Sequence, residues 1–451
     1  GCSNDEEAGD TTNNENDSGE STNDGNNEAT NDGTAQGEVD YPDEITYWSS
    51  LDANVAATSK TLNDVAMYQE LEEITGTKVE FKHPSGEGSD VTEQFNLMIA
   101  SGNLPDVIEY GWLNVPKGPD NAINDGTIIR LNELIEEHAP NFRAYLDENP
   151  DIEKMIMTDE GNIYGFPFIR GDEYLMVFKG PMIRNDWLTK LGLETPTTID
   201  EWEEVMVAIK EGDPNGNGEA DEIPLLLEMG DIKNFGAFAS AWGISPWFYN
   251  DNGTVKFGSI EPEFKEFLLK MSDWFEKGLL DPDFNIIDTQ LRDAKVTGEQ
   301  LAALYSYTGS GIGKFTGLMA DQNPDFELFA TPHPSLNPGE KAALGQIDHP
   351  YTGSTVAAIS GSAENPEQIV KWLDYGYSEE GHMLFNFGIE GESYELVDGY
   401  PTYTDLIMDN PDGLPVTQAM GKYFRSSYSG IMVQDRAYME QYAELPHQKE
   451  A

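Results

Sequence analysis

The chain has 451 residues and a formal net charge of −57, with 83 acidic residues against 26 Lys and Arg. A surface this acidic repels nucleic acid and anionic membranes, so we expect no nucleic-acid partner. The hydrophobic fraction of 38% is enough for a globular core, and the length predicts two or more folding units. No run of about 18 apolar residues occurs, so the sequence predicts no membrane-spanning helix.

The first segment, residues 1–40, predicts a disordered acidic tether. It holds twelve Asp and Glu, no Lys or Arg and no aromatic residue, so it cannot bury enough apolar surface to offset the entropy of ordering. Cys2 is the one cysteine of the chain, and Gly1-Cys2 resembles the end of a lipoprotein cleavage box. We therefore expect a diacylglyceryl anchor on Cys2, with palmitate-type acyl chains, at the extracellular face of the cell membrane.

The segment after the tether predicts alternating strands and helices. Strand candidates at 45–48, 78–82 and 106–110 are separated by two helices that end at Gly76 and Gly102. The first helix is expected to begin near Thr61 and to bury Val65, Tyr68, Leu71 and Ile74. This order predicts a parallel sheet with right-handed crossovers, in which ligands bind beyond the carboxyl ends of the strands.

A loop at residues 213–222 has the oxygen spacing of a calcium site. It follows a helix that Thr198 and Glu201 cap, and it places oxygen-bearing side chains at positions 1, 3, 5 and 9 with glycine at position 6, as in an EF-hand. Pro224 stands where the EF-hand glutamate would be, and 223–227 predicts a strand instead of a second helix. The expected Ca²⁺ ligands are Asp213, Asn215, Asn217, the Glu219 backbone carbonyl, Asp221 and Glu222. The alternative is a Gly- and Asn-rich turn without metal.

Aromatic residues beside the predicted loops are candidates for a ligand surface. Flat rings stack on the C–H faces of sugars, while carboxylates accept hydrogen bonds from hydroxyl groups. The candidate rings are Trp48, Trp112, Trp242, Trp247 and Tyr351, and the candidate acceptors are Glu109 and Asp348, with Asp52 as a further one. A place in the core is the alternative for each ring. Four other tryptophans lie in helical patterns and are expected in the core: Trp187, Trp202, Trp274 and Trp372.

Several stretches of the sequence resemble one known family, the family-1 extracellular solute-binding proteins. The resemblance begins at FNLMIASGNLPD, residues 95–106, which is similar to a family stretch of the form Phe…Ala-Ser-Gly-x-x-Pro-Asp. Other stretches of the sequence are similar to the oligosaccharide-binding lipoproteins of this family, which include alginate-binding and LplA-like proteins. These matches lie at residues 161–167, 183–193, 196–202, 372–381 and 386–391.

The resemblance implies a fold and a division of the chain. The implied fold is α/β and periplasmic-binding-protein-like, with two lobes joined by a hinge and a cleft between them. Residues 41–160 are then expected mainly in the N-terminal lobe, and 161–340 mainly in the C-terminal lobe, which includes the calcium loop. Residues 341–451 are expected to cross between the lobes and to pack on both. The family's oligosaccharide-binding members carry the same shortened loop, which implies a structural Ca²⁺.

The resemblance also implies a function. The chain is expected to be a monomeric binding protein, not an enzyme, that captures an oligosaccharide and delivers it to the permease subunits of an ABC transporter. The sequence leaves open a polysaccharide-active hydrolase or lyase, and it leaves open a peptide or another polar solute as the ligand. It contains no Walker loop, no Gly-x-Ser-x-Gly and no His-Glu-x-x-His.

Overall fold

A computed structural model describes residues 39–86, 89–425 and 428–443. Cys2 and almost all of the predicted tether lie outside the described residues. From Asp40 onward the chain forms one compact unit. Within the described ranges, no helix combines the length and the apolar composition needed to cross a bilayer.

The described residues form short strands and helices throughout the chain. The strands are β1 (Glu44–Trp48), β2 (Lys78–Lys82), β3 (Val107–Tyr110), β4 (Phe166–Pro167), β5 (Ile169–Arg170), β6 (Lys179–Arg184), β7 (Phe248–Asp251), β8 (Thr254–Phe257), β9 (Ala303–Tyr307), β10 (Leu328–Ala330), β11 (Val356–Ile359), β12 (Tyr394–Val397), β13 (Tyr400–Tyr403) and β14 (Val433–Gln434). The helices are α1 (Ala53–Ala56), α2 (Ala66–Thr75), α3 (Ser89–Ser101), α4 (Gly118–Asn124), α5 (Asn132–His138), α6 (Pro140–Glu148), α7 (Pro150–Ile156), α8 (Asn185–Leu191), α9 (Ile199–Gly212), α10 (Met229–Phe235), α11 (Pro262–Glu276), α12 (Thr289–Thr297), α13 (Lys314–Met319), α14 (Pro366–Asp374), α15 (Glu379–Phe387), α16 (Asp405–Met408), α17 (Val416–Tyr423) and α18 (Arg436–Glu440).

The larger sheet has the strand order β2-β1-β3-β11-β4. β1 is parallel to both β2 and β3, so the predicted parallel layer is confirmed. β11 returns from the last third of the chain and runs antiparallel to β3, with Val356 opposite Tyr110. The carboxyl ends of β1 and β3 therefore lie at the same edge of the sheet as the start of β11.

The first predicted helix begins later than the sequence indicates. Thr61 caps a 3₁₀ turn, Leu62–Asp64, through a capping box, and α2 follows only after Val65. Gly76 ends α2 with a positive φ of 71°, as expected. Tyr68 and Leu71 are buried, but Ile74 is 46% exposed. The predicted burial of Ile74 is wrong because successive steps of three residues drift by about 60° each around a helix of 3.6 residues per turn.

Two separate core regions give the described chain two lobes. The first lobe is built on a core drawn from residues 45–169 and 351–438. The second lobe is built on cores drawn from residues 182–328, around the sheet β10-β6-β9. All four tryptophans expected in the core are buried, which confirms that prediction. The lobe boundaries at 161 and 341 stay predictions, and Ile163 already packs in the first core.

The two chain segments that cross between the lobes are hydrogen-bonded to each other. Gln346 Oε1 accepts from the backbone N–H groups of Phe178 (2.8 Å) and Lys179 (3.0 Å). The Gln346 amide donates to the Met176 carbonyl (3.0 Å), which also accepts from the Asp348 N–H (2.9 Å). Because Gln346 is buried, these bonds tie both crossovers into one junction between the lobes.

Candidate functional site

A polar cavity of about 330 Å³ opens beyond the carboxyl ends of β1 and β3. This is the edge at which open α/β sheets bind their ligands. Most of its hydrogen-bonding side chains are neutral hydroxyl or amide groups. Its lining residues are Ser49, Ser50, Asp52, Glu109, Tyr110, Gly111, Asn114, Ser354, Thr355, Arg425 and Ser429.

A buried ion pair forms the floor of this cavity. Arg425 Nη1 donates to both carboxylate oxygens of Glu109, at 2.8 and 2.7 Å, and Tyr47 Oη donates to Glu109 Oε2 at 2.5 Å. Arg425 is 3% exposed. Burial acts to lower the pKa of Arg425, but the Glu109 carboxylate outweighs burial and holds that pKa well above its ordinary value. Each charge therefore satisfies the other inside the protein.

Asp52 is the accessible acid of the cavity. Its side chain is 31% exposed and lies 3.8 Å from Arg425 Nη2. Ser429 Oγ donates to Asp52 Oδ2 at 3.0 Å. Burial raises the pKa of Asp52, and the attraction of Arg425 works against that rise. Asp52 thus keeps acceptor capacity for hydroxyl groups of a ligand.

An apolar cavity of about 260 Å³ lies beside the junction between the lobes. Residues of the first lobe, the second lobe and one crossover all line it, and Tyr428 precedes Ser429 of the polar cavity. The Phe178 and Tyr307 rings stack 6.0 Å apart at 11°. The lining residues are Asn54, Tyr174, Leu175, Val177, Phe178, Tyr307, Thr308, Gly309, Ser310, Thr417, Met420, Tyr428, Tyr438, Met439, Tyr442 and Ala443. We call the two cavities together the cleft.

The second lobe contributes a charged and aromatic rim next to Tyr307. Lys179 Nζ pairs with Asp231 and lies 4.6 Å from the centres of both the Phe235 and Tyr307 rings. Burial raises the pKa of Asp231, while Lys179 acts to lower it. Tyr305 completes the rim, with its hydroxyl 2.9 Å from His333 Nε2.

Two of the predicted ligand rings are core residues. Trp112 is 0% exposed, and its indole N–H donates to the Ile108 carbonyl at 3.2 Å. Trp48 is buried between Phe95 and Tyr110, with ring centres 5.9 Å from each. Both follow strands that end at the cleft, as expected, but their side chains turn into the first core. The predicted ligand contacts at Trp48 and Trp112 are therefore corrected to core packing.

Four other predicted ligand residues each lie in a different environment. Tyr351 is buried in the first core, where its hydroxyl bonds to that of Tyr164. Trp242 is half-buried and packs on Phe267 at 5.6 Å. Asp348 pairs with Arg170 at the junction, at 3.1 Å. Glu109 is in the cavity, as described, but its carboxylate is already engaged.

Trp247 is the predicted ring with the most accessible face. It is 62% exposed and lies at the start of the β7–β8 hairpin beside Phe248, with ring centres 5.7 Å apart. Pro246, its neighbour, lies against Gly236, where a Cβ atom would come within 3.1 Å. Gly236 directly follows Phe235 of the second-lobe rim. Trp247 lines neither cavity, and this packing connects it only to the second-lobe rim.

Sequence reasoning missed the residues that define the cleft most clearly. Arg425 is one of few basic residues in the last third of the chain, but no motif marks it. Phe178 and Tyr428 likewise carry no local signal. Tyr307 belongs to the wider set of aromatic residues that the sequence offers as candidates, but it is two positions from Gly309 and so falls outside the preferred rings beside Gly or Pro. The four residues come together only through the folding of distant segments.

The predicted calcium loop directly follows α9. Asp213 has a positive φ of 45°, and its Oδ2 accepts from the Gly218 N–H at 3.0 Å. The Asn215 and Asn217 amides both donate to Asp221 Oδ1, at 3.0 and 3.1 Å. Burial acts to raise the pKa of Asp221, but these hydrogen bonds and one from Gln300 hold it below its ordinary value. The expected strand at 223–227 is present only as isolated bridges to neighbouring segments.

Two buried carboxylate oxygens of the loop have no hydrogen-bond partner among the described residues: Asp213 Oδ1 and Glu222 Oε1. Burial raises the pKa of Glu222, as does the negative charge of Asp221 and Asp213. A cation at this point would satisfy both orphaned oxygens. Within the described residues, no group of three or more His, Cys, Asp or Glu side chains converges as a metal site. The remaining candidate donors of the loop are the Asp221 carboxylate and the amide and carbonyl oxygens of Asn215, Asn217 and Glu219, all of them oxygen ligands that suit Ca²⁺.

Comparison with protein families and characterised proteins gives a consistent result. Residues 52–383 match the family model for bacterial extracellular solute-binding proteins. The chain is 30% identical, over 353 residues, to the fructooligosaccharide ABC transporter substrate-binding protein FusA of Streptococcus pneumoniae serotype 4 (strain ATCC BAA-334 / TIGR4), covering 76% of this chain and 63% of FusA. It is 26% identical to lipoprotein LipO of Bacillus subtilis (strain 168), over 79% of this chain and 69% of LipO.

A third relative is the polygalacturonan/rhamnogalacturonan-binding protein YtcQ of Bacillus subtilis (strain 168). It is 27% identical, over 72% of this chain and 63% of YtcQ. The chain thus spans less than two thirds of the length of FusA and of YtcQ.

Solved structures share the fold across most of the described chain. The alginate-binding protein AlgQ2 without calcium ion superposes with a TM-score of 0.67 at 25% identity, covering 91% of this chain and 82% of AlgQ2. FusA in complex with kestose superposes with a TM-score of 0.66 at 26% identity, over 90% of this chain and 84% of FusA. An EF-hand mutant of FusA in complex with fructo-nystose superposes with a TM-score of 0.66 at 25% identity, over 90% of this chain and 83% of the mutant. The predicted two-lobed α/β fold is confirmed.

Proposed function

The chain belongs to the bacterial extracellular solute-binding protein family, and we propose that it captures an oligosaccharide in the cleft and delivers it to the permease of an ABC transporter. The observation that carries the proposal is the pairing of a hydroxyl-rich polar cavity with an aromatic one at the junction of the lobes. Sugars need both surfaces, because their hydroxyl groups seek polar partners while their C–H faces pack on rings. FusA, a relative, is named for fructooligosaccharides and was solved with kestose.

Capture depends on residues from both lobes. Tyr428 and Asp52 belong to the first lobe, Tyr307 and Trp247 to the second, and Phe178 to the crossover between them. A ligand that touches both lobes favours the closed form only through contacts it makes there and not in the open form. The hydrogen-bonded junction at Gln346 is where the chain can bend while both cores stay intact.

We propose that the protein binds its ligand without changing it. Glu109 supports this, because it is held by Arg425 and Tyr47 and so is not placed as a free base. The test is incubation of the purified protein with neutral and acidic oligosaccharides, followed by a thermal shift and by chromatography of the sugar. A raised Tm with intact sugar supports binding. Release of shortened or unsaturated sugar would move the protein to the hydrolases or lyases.

We further propose a structural Ca²⁺ in the loop after α9. Asp213 and Glu222 would supply the orphaned carboxylate oxygens, and Asn215, Asn217, the Glu219 carbonyl and Asp221 would supply the rest. The ion would neutralise carboxylates that burial otherwise destabilises, and it would stabilise the second lobe because it binds the folded form alone. Among the solved relatives, AlgQ2 was determined without calcium ion and FusA as an EF-hand mutant.

The proposed location is the outer face of the cell membrane, through a lipid on Cys2. The support is the Gly1-Cys2 pair, the acidic segment after it and the lipoprotein name of the relative LipO. Mass spectrometry of the protein from its native cells should detect a diacylglyceryl adduct on Cys2, and a free thiol would contradict the anchor. The same protein in solution is expected to be a monomer, which sedimentation can check.

A further inference from the structure

The charges of the cleft define the class of sugar that it can hold. Three charged side chains line the polar cavity: Asp52, Glu109 and Arg425. Arg425 is bound to Glu109 through both of its carboxylate oxygens. The pair is neutral overall, so Asp52 leaves the polar cavity with an excess of negative charge.

The basic side chains around the apolar cavity are paired in the same way. No charged residue lines this cavity itself. Three cations of the described residues stack on its rings: Arg170 at 4.8 Å from Tyr428, Lys179 at 4.6 Å from Tyr307, and Arg436 at 4.7 Å from Tyr174.

Each of these three cations already has a carboxylate partner. Arg170 pairs with Asp348 at 3.1 Å, and Arg436 pairs with Glu440 at 3.1 Å. Lys179 pairs with Asp231, and both side chains are almost fully buried. A carboxylate of a ligand would have to compete with one of these internal partners. Displacing Asp231 would leave that acid buried without a charge partner.

We propose that the cleft is selective for neutral oligosaccharides and excludes those built from uronic acids. The inference rests on the proposed sugar-binding function and deepens it. A uronate in the polar cavity would meet Asp52, with no unpaired cation among the described residues that line the cavity, so it would lose its hydration and gain repulsion. A neutral sugar has no charge to desolvate and meets no charge repulsion. Its hydroxyl groups can exchange their hydration for hydrogen bonds to Ser49, Asn114, Ser354 and Thr355. The ligand expected for this chain is therefore neutral, whereas two of its relatives are named for the acidic polysaccharides alginate and polygalacturonan.

Calorimetric titration with three matched panels tests the proposal. The neutral panel is kestose, nystose and gluco-, manno- and xylo-oligosaccharides of three to four units. The acidic panel is galacturonate and alginate oligomers of the same lengths, and the cationic panel is glucosamine oligomers. We expect at least one neutral sugar to bind at least about 100-fold more tightly than every acidic one. Its affinity should change by less than about twofold between 0.05 and 0.5 M NaCl.

The outcomes separate the two proposals. An acidic oligomer that binds as tightly as the best neutral sugar would overturn the selectivity while leaving sugar binding in place. Cationic oligomers that bind no better than acidic ones would overturn the role given to Asp52. Failure of every panel would contradict the sugar-binding function itself. A steep fall of affinity with salt would show that charge attraction carries the binding, which also overturns the selectivity.

One substitution tests whether paired cations cause the exclusion. Asp348→Asn leaves Arg170 without its carboxylate, so acidic oligomers should gain at least about tenfold in affinity. Glu133→Gln is the matched control, because it frees Arg130 from an exposed pair on the first lobe. The control should bind acidic oligomers no better than the parent does. An Asp348→Asn protein that folds, judged by its Tm, and still excludes uronates would overturn the paired-cation explanation.

Discussion

The cleft floor and the loop after α9 are both clusters of carboxylates, but they balance their charge differently. In the cleft floor, Arg425 binds Glu109 from inside the protein, so the chain itself supplies the counter-charge for each buried group. In the loop, Asp213 and Glu222 each keep a buried oxygen without a partner among the described residues. The contrast teaches that acidic composition alone does not indicate a metal site. What matters is whether the chain supplies a cation to the same place.

The largest expected effect on stability comes from removing one partner of the Arg425–Glu109 ion pair in the cleft floor. Arg425→Met leaves Glu109 buried and unpaired, so the free energy of unfolding should fall by about 3–5 kcal/mol. Urea denaturation of the calcium-loaded protein measures this. The double variant Arg425→Met, Glu109→Leu removes both charges and should recover much of the loss. A single variant that loses less than about 1 kcal/mol would mean that the pair contributes little.

Removing the external cation from the loop should have the next largest effect. With free Ca²⁺ at about 100 to 1,000 times its Kd, chelation should cost roughly 2.7–4.1 kcal/mol of stability and lower the Tm, and added Ca²⁺ should restore it. Asp213→Ala should abolish this response. Asp159→Asn, at an exposed acid outside the loop, should leave the response intact. An unchanged Tm of the parent on chelation, with no calcium by elemental analysis, would remove the metal site.

A third substitution asks whether rings, not charges, hold the ligand in the cleft. Trp247→Ala should weaken binding of the best neutral oligosaccharide by about 1–3 kcal/mol, roughly tenfold to a hundredfold. Val255→Ala, at another exposed position of the same hairpin, is the control and should bind normally. Calcium-dependent stability should be the same in all three proteins. Normal affinity of Trp247→Ala would place this ring outside the ligand site.

The smallest expected effect is a pH dependence at the second-lobe rim. Burial lowers the pKa of His333 from 6.5 to about 4. The folded protein therefore keeps this ring neutral while the unfolded chain binds a proton, and stability is lost as the pH falls from 6.5 towards 4. His333→Gln should reduce that loss by at most about 1 kcal/mol at pH 5, since solvent reaches the half-buried ring. Identical stability curves for both proteins between pH 7 and pH 5 would contradict the low pKa.

How well each region could be predicted follows from how it is built. The proposed calcium loop is continuous in sequence, so the spacing from Asp213 to Glu222 is enough to name every proposed donor. The parallel strands β1, β2 and β3 also follow local patterns, and they were predicted within one or two residues. The cleft joins Asp52, Phe178, Tyr307 and Arg425, which only the crossovers and the returning strand β11 bring together.

The failures at individual rings have a related cause. Trp112 and Trp247 both adjoin a glycine or a proline, and the sequence treats them alike. The structure buries Trp112 beneath β3 and exposes Trp247 on a hairpin. Position in a loop is a local property that sequence can show, whereas the direction of the side chain depends on what packs against it. Ile74 failed for a different reason, because steps of three residues drift around the helix and carry it off the buried face of α2.

Small-angle X-ray scattering with and without ligand tests most directly whether the site lies between the lobes. The calcium-loaded protein would be measured alone and with a saturating neutral oligosaccharide from the titration panel. A ligand held by Asp52 and Tyr428 on one lobe and by Tyr307 and Trp247 on the other should draw the lobes together, so the radius of gyration should decrease. An unchanged radius of gyration at proven saturation would contradict a ligand shared by both lobes and would place the site on one lobe alone.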